Sequence, residues 1–565
     1  MDWESRRSQV KPASDNSSLS RHPVWPRLLV GAPALGIWVS LVPPTISRNN
    51  SIYTWDSAAY LETAESLLTG RGLAHRVING LGSSIWEPLS LWPPGYPLLI
   101  AAVEATGLPG PTSCVLVSVA AASLSVVVLS LICVGLFHWT VALPLTLTVV
   151  LTDPFLWFGT NCLSESTFFL LSVASAGCVL QASRTDSSAL YWMLGAGMFA
   201  GAAWGTRYVG IALFAATAIY IASHLLWLRL DRVAKLALAW SLGAASLVVP
   251  VVVRNAVVGS PATPFGGPPT QWTIWENVRH ALATIVGDLT TSPLAVFLIV
   301  NKYTIPLLAG TLLATVALAI LFGAFDRFRA LDRRQLLEGI ATYVGRNKFL
   351  LFLVSYVVIY AAVIVWARCC TKYQYGDPIG SRYMVQIYWA ILFSVALAAA
   401  AGMKLAGLSS KAASRTLIGL FVVTSLIHFS RDVSALRAPA NMSTFDDLLG
   451  PQACPLLGKE LRHTQIVLAD RAGDLRVHCN VNARKILPVD SYDNFERKPL
   501  TPDDIYKAAR SGLLWGVVIA EVENAQKGEL DTFFQNMAQA PQKAVDFERI
   551  PVESKALFFR YAPKR

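Results

Sequence analysis

The sequence predicts an α-helical polytopic membrane protein with a C-terminal α/β domain. Three observations predict it. The chain of 565 residues is 54% hydrophobic and 15% charged, where soluble domains carry about 25% charged residues. Uncharged apolar runs of about 20 residues follow one another, each long enough to cross a bilayer. From residue 431 the pattern changes to short apolar runs between polar, helix-forming segments, as an α/β sheet requires. The chain therefore divides into an N-terminal tail at 1–27, a transmembrane part at 28–430 with a first outer loop at 46–93, and a soluble domain at 431–565. The net charge of +11 implies no nucleic-acid partner, because the cations collect in short inter-span loops, where they set orientation in the lipid bilayer.

Residues 1–27 are polar and hold Arg6, Arg7, Lys11, Arg21 and Arg27. The apolar run that follows lacks a small-residue cleavage site and reads as a retained first span. The loop 325–348 carries Arg327, Arg329, Arg333, Arg334, Arg346 and Lys348, and "RLDRVAK" (229–235) is also basic. These two loops and the N-terminus are expected on the cytoplasmic side of a plasma membrane. The class is one of about 11–13 transmembrane helices. Eleven are assigned, at 28–45, 113–137, 139–158, 164–182, 189–205, 209–228, 236–256, 304–324, 349–367, 384–403 and 415–430. That parity puts the C-terminal domain outside. Residues 94–108, "PGYPLLIAAVEATGL", are apolar but short; full crossing would invert every later span, so they read as a partial or re-entrant helix. The outer loop 257–303 is rich in Pro, Gly and Thr, with a short helix expected around "WENVRHALATI".

In the C-terminal domain, "QIVLA" (465–469), "KILPV" (485–489), "WGVVIA" (515–520) and "ALFFRY" (556–561) read as strands of a partly parallel sheet. "TPDDIYKAARSG" (501–512) reads as a helix capped by Thr501 with Pro502 in its first position. No glycine-rich phosphate loop follows a strand. Cys114, Cys133, Cys162 and Cys178 read as apolar fillers within the membrane part. Cys454 and Cys479 are able to pair if that domain lies in an oxidising compartment.

The threading gathers charges at one face. Asp56 and Glu87 lie in the first outer loop. Asp153 and Glu165 flank an outer turn, and Arg207, Arg254, Asp377 and Arg382 come at outer span ends. Charges at membrane depth are costly and usually face the bundle interior or a wet cavity. A ring of mixed sign suits an anionic group attached to something apolar. Each residue also has a plainer reading. Asp56 heads an amphipathic helix, "WDSAAYLETAESLL", as an N-cap would. Glu165 suits the first turn of a helix. The arginines suit interfacial snorkelling. "WPPGYP" (92–97) is a helix breaker, and His75 reads as a surface residue.

Taken together, the Asp near the start of the first outer loop with Tyr60 four residues on, the aromatic-Pro-Pro-Gly-Tyr-Pro at 92–97, "LSESTFFLL", "GTRYVGIALF", "VVPVVVRNAVVG" and "DPIGSRYMVQI" resemble the GT-C superfamily of polytopic glycosyltransferases. The similarity is to the bacterial branch of protein O-mannosyltransferases, the lipid A aminoarabinose transferase and rhizobial galacturonosyltransferases, and it covers roughly residues 28–430. It implies transfer of a sugar from a polyprenyl-phosphate donor to a lipid, glycan or protein acceptor at the outer face. Asp56 would be the general base. Tyr60, Glu87, Tyr96 and Glu165 would form the acceptor and sugar pocket. Where the family has Lys-Pro-Pro, this chain has Trp92-Pro93-Pro94, so the donor phosphate would fall to Arg207, Arg254 or Arg382. One carboxylate acting as base implies inversion at the anomeric carbon. No cofactor is expected, although Asp56, Glu87, Asp153 and Glu165 are an oxygen-rich set of the kind that holds a divalent cation. Two other functions share these features: a glycan ligase or polymerase using a polyprenyl-diphosphate donor, and a lipid or polysaccharide transporter. The chain lacks the internal repeats and paired broken helices typical of transporters.

Overall fold

The structure is a computed structural model. It describes residues 24–49, 55–78, 84–89, 92–185, 187–226, 230–258, 273–290, 348–370, 379–405 and 410–437, and, in the C-terminal domain, 453–461, 465–469, 475–476, 479, 481, 483–485, 511, 514–519, 545–550 and 557–563. The expected span at 304–324, Asp377 and, apart from Ser511, the expected helix 501–512 lie outside the described residues.

The first helix, α1 (Val24–Asn49), is followed by α2 (Trp55–Leu68), the hairpin strands β1 (Ala74–Ile78) and β2 (Ser84–Pro88), and the short α3 (Gly95–Glu104). Then come α4 (Gly110–Leu136), α5 (Trp139–Val150), α6 (Asp153–Thr160), α7 (Glu165–Arg184), α8 (Ala189–Thr206), α9 (Ile211–Ser223), α10 (Leu230–Val257), α11 (Ile274–Thr290), α12 (Lys348–Cys370), α13 (Ser381–Leu405) and α14 (Ser410–Arg437). Among the described residues, six helices are long and apolar enough to cross a membrane: α1, α4, α7, α10, α12 and α13. The chain is a multi-pass membrane protein.

Several elements refine the expectations. The segment 139–158 is not one straight span; α5 and α6 meet at a bend of 63°. Thr152 is extended, with φ −69° and ψ 132°, and Pro154 occupies the first turn of α6, where it has no N–H with which to continue α5. The short α3 has 10 residues, about 15 Å of rise, half the hydrocarbon thickness of a bilayer. That length agrees with a partial helix. Its first residue is Gly95, where nothing larger fits: a Cβ there would lie 2.6 Å from the Gly205 carbonyl oxygen at the end of α8. Finally, α14 runs on to Arg437, past the boundary expected at 430, and α11 is the helix expected in the loop 257–303.

Helices in lipid gain little from apolar burial against one another, so close contact must hold them. The α8–α10 pair shows how. A Cβ on Gly197 would lie 2.1 Å from the Trp240 carbonyl oxygen, and one on Gly243 would lie 2.1 Å from that of Leu194. The main core fills the bundle around Trp38, Phe168, Phe352, Tyr356 and Trp389. A smaller core of Tyr60, Leu61, Ala64, Tyr96, Ile100, Ala101, Cys114, Val117 and Cys162 joins α2, α3 and α4.

That smaller core corrects the reading of two cysteines. Cys114 and Cys162 form a disulfide, while Cys133 and Cys178 are buried free thiols. Cys114 lies near the start of α4 and Cys162 precedes α7, so the bond ties the two helices together near their N-terminal ends. His75 is likewise not a surface residue. It is 5% exposed, with its ring edge-on to Trp92 at 6.0 Å.

The described residues of the C-terminal domain form α15 (Ala453–Glu460), β3 (Ile466–Ala469), β4 (Ala483–Lys485), β5 (Leu514–Ile519), β6 (Val545–Ile550) and β7 (Leu557–Pro563). The sheet order is β4-β3-β5-β7-β6. β3 pairs parallel with β4 and β5, and β7 pairs antiparallel with β5 and β6. The partly parallel sheet is as expected. Of the expected strand 485–489, only Lys485 is described, at the end of β4. The edge strand β6, "VDFERI", was not anticipated, because its charged residues break a plain apolar run. Cys454 and Cys479 are bonded.

Candidate active site

The site is assembled at one end of the bundle, where α2, α3, α7, α8 and α13 converge. α2 starts at Trp55, so Asp56 lies in its first turn rather than capping it. A carboxylate there is favoured by the helix dipole. Four residues on, Tyr60 falls on the same face. Its hydroxyl is 3.2 Å from Ser164 Oγ, and its ring meets Tyr96 edge-on at 5.0 Å and Trp92 at 6.2 Å. Ser57 Oγ donates to the Cys162 carbonyl at 2.7 Å, fixing α2 to the turn that leads into α7. Burial foremost, and then the Asp56 and Glu165 charges, hold the Tyr60 phenol protonated, well above its ordinary range.

Glu165 opens α7 and its side chain is 0% exposed. Two arginines meet it. Arg207, directly after α8, donates from Nη1 to Glu165 Oε1 and reaches Ser164 Oγ at 3.4 Å. Arg382, in the first turn of α13, donates from Nε to the same Oε1 at 2.5 Å and from Nη2 to Asp56 Oδ2. Gln386, one turn along α13, donates to the Glu165 carbonyl at 3.1 Å. Two carboxylates and two guanidinium groups thus form one network, and Arg382 bridges the carboxylates. Glu165 Oε2 has no hydrogen-bond partner among the described residues.

The other candidate residues stand elsewhere. Arg254, in the last turn of α10, donates from Nη1 to the Leu89 carbonyl and from Nη2 to that of Leu73, the latter at 2.7 Å. It braces the two ends of the β1–β2 hairpin. Glu87 lies on β2 opposite His75. Asp153 is half-exposed and faces Arg431 at 3.9 Å. The four carboxylates do not converge, and among the described residues no group of three or more His, Cys, Asp or Glu is arranged to hold a metal ion. Tyr96 lies below the network, its hydroxyl 2.7 Å from Ser118 Oγ. Ser164 and Gln386 were missed from the sequence. Their one signal is position: Ser164 precedes Glu165, and Gln386 follows Arg382 by four residues, on the same helix face.

No protein-family model matches the chain, and no curated protein matches it. Solved structures do. ArnT from Cupriavidus metallidurans bound to undecaprenyl phosphate superposes with a TM-score of 0.54 at 14% identity, covering 95% of this chain and 97% of that one. The apo state of the same protein gives the same figures. Archaeal oligosaccharyltransferase AglB from Archaeoglobus fulgidus, in complex with an inhibitory peptide and a dolichol-phosphate, has a TM-score of 0.46 at 12% identity, covering 94% and 74%. Nearly the whole chain superposes on nearly the whole of ArnT, so the two chains share a fold.

Proposed function

We propose that this chain transfers a sugar from a polyprenyl-phosphate carrier to a hydroxyl of a lipid, glycan or protein acceptor, with Asp56 as general base. The observation that carries the proposal is the bridge made by Arg382 between Asp56 and Glu165. A guanidinium group matches a phosphate as well as a carboxylate. Donor phosphate entering the network would compete with Asp56 for Arg382. Asp56, once released, would take the acceptor's proton, and the acceptor oxygen would then bond to the anomeric carbon. The bond from that carbon to the phosphate oxygen would break with both electrons leaving on the phosphate. Charge grows on the phosphate as that bond breaks, and Arg382 and Arg207 stand where they would stabilise it. Attack from the face opposite the phosphate inverts the anomeric centre. Trp92, partly exposed and backed by Tyr60, would offer its ring to the sugar. ArnT, which shares the fold, was solved with undecaprenyl phosphate, and this supports a donor of that chemical class.

We place the site end and the C-terminal domain outside the plasma membrane, with the N-terminus in the cytoplasm. Two disulfides, Cys114–Cys162 at the site end and Cys454–Cys479 in the C-terminal domain, support an oxidising compartment for both. The basic segments 229–235 and 325–348 support the opposite side as cytoplasmic.

The test uses purified full-length protein in nanodiscs, with radiolabelled polyprenyl-phosphate sugars as donors and membrane extract as acceptor source. Wild type is expected to move label from the carrier to the acceptor. Asp56→Asn is expected to lose about 10²–10⁴ of that rate while still binding the donor. Equal transfer by both proteins would remove Asp56 from the base role. Turnover with diphosphate-linked donors alone would replace the monophosphate reading.

A further inference from the structure

The face of α2 turned away from Asp56 carries a second buried ion network, and it reaches into the C-terminal domain. Helical rotation of about 100° per residue puts Ala58, Glu62 and Glu65 opposite Asp56 and Tyr60. With Arg76, Glu104 and Arg476 they line a cavity of about 260 Å³. Arg476 approaches Glu62 as a fork, with Nε on Oε1 at 3.0 Å and Nη2 on Oε2 at 2.7 Å. The Arg476 and Glu62 side chains are 2% and 5% exposed. The same Nη2 donates to the Arg76 carbonyl on β1 at 2.8 Å. The Arg76 backbone N–H completes the set by donating to Glu62 Oε2 at 3.0 Å. Arg476 stands three residues before Cys479, whose bond to Cys454 anchors that stretch of the domain.

We infer that Arg476 is a positioning residue: the C-terminal domain holds α2 through the Glu62–Arg476 pair, and this sets where Asp56 stands in the site. The inference rests on the glycosyltransfer reading above. Glu62 lies six residues along the helix from Asp56, about 9 Å of rise. Among the described residues, the first turn of α2 is also held by Arg382 on Asp56, by Ser57 on the Cys162 carbonyl and by the packing of Tyr60. A buried arginine and carboxylate joined by a two-point fork define both the rotation and the height of the helix, which a single contact would not. Displacing a base by about 1 Å is enough to slow a reaction about 100-fold.

The experiment compares wild type with Arg476→Met, Arg476→Lys and the exchange variant Glu62→Arg with Arg476→Glu, all full-length in nanodiscs. Rates are normalised to the stoichiometry of undecaprenyl phosphate binding, so that only folded protein counts. Arg476→Met is expected to lower kcat about 10- to 100-fold at unchanged acceptor KM, and to speed amide exchange over α2. Arg476→Lys, with one donor point in place of two, is expected to fall between. The exchange variant is expected to recover part of the loss. Wild-type kcat and wild-type exchange in Arg476→Met would overturn the inference. Should Arg476→Met fail to bind undecaprenyl phosphate, the exchange variant decides: recovery supports the pair, and none overturns it. If wild type itself transfers no sugar, the glycosyltransfer reading fails, and amide exchange over α2 still tests the clamp.

Discussion

Two ion networks grip opposite faces of α2, and they are finished to different degrees. Around Glu62 both carboxylate oxygens are taken, by the Arg476 fork, the Arg76 guanidinium and the Arg76 amide. Around Glu165 two guanidinium groups crowd onto Oε1 while Oε2 is left without a hydrogen bond among the described residues. Both carboxylates are buried, so exposure does not explain the difference. An unmade hydrogen bond at a buried polar atom costs about 1–3 kcal/mol, and native structures rarely leave one without a reason. The contrast lies at the two carboxylates. Glu62 has a partner on each oxygen, whereas two arginines share one oxygen of Glu165, contacts that a phosphate is able to replace.

The sharpest way to break this comparison is Arg382→Gln. If the Glu165 network serves chemistry, transfer should fall about 10²–10³-fold while thermal unfolding of the protein in nanodiscs stays near wild type. A variant that mainly unfolds would make the Asp56 side a brace as well. A second measurement sharpens the braced side. His75 sits on β1 next to Arg76, and burial foremost lowers its imidazole from 6.5 to about 4. Its folded value lies below its unfolded one, so the unfolded chain takes the proton first as pH falls. The stability contributed by neutral His75 is complete above pH 6.5 and is lost between pH 6.5 and 4, to a total of about 3 kcal/mol. Unfolding midpoints at pH 7 and pH 4.5 should diverge for wild type and converge for His75→Gln. The smallest effect is expected at Asp153, which sits half-exposed against Arg431. Asp153→Asn should shift stability by less than about 1 kcal/mol and leave transfer unchanged. A large loss of transfer there would extend the site beyond the four-charge network.

The sequence made the bundle legible because each span is a long apolar run, a signal that survives any packing. It also brought Asp56, Glu165, Arg207 and Arg382 to one end of the bundle, because charges at span ends can be sorted by threading alone. Threading does not measure distance within that end. Arg254 and Arg382 look alike as arginines beside an outer turn, yet one braces the hairpin carbonyls and the other bridges carboxylates. Cys114 and Cys162 look like span fillers because they fall beside apolar runs; their bond depends on how α4 and α7 meet. Glu62 and Arg476 were invisible for a different reason. They are 414 residues apart in the chain, and neither belongs to a motif.

The glycine contact between α8 and α10 has a consequence for how this chain can change. Gly197 and Gly243 each stand where a Cβ would enter a backbone carbonyl of the other helix. A tight spot between two side chains can be relieved by trimming one of them. Here the obstacle is main chain, and glycine is already the smallest residue, so no second substitution makes room for the first. Arg207 directly follows α8, and α10 carries Arg254 in its last turn. A variant that wedges the two helices apart therefore moves a site arginine and a hairpin arginine in the same step, and mutational paths through these two glycines are closed in a way that paths through Arg207 or Arg254 are not.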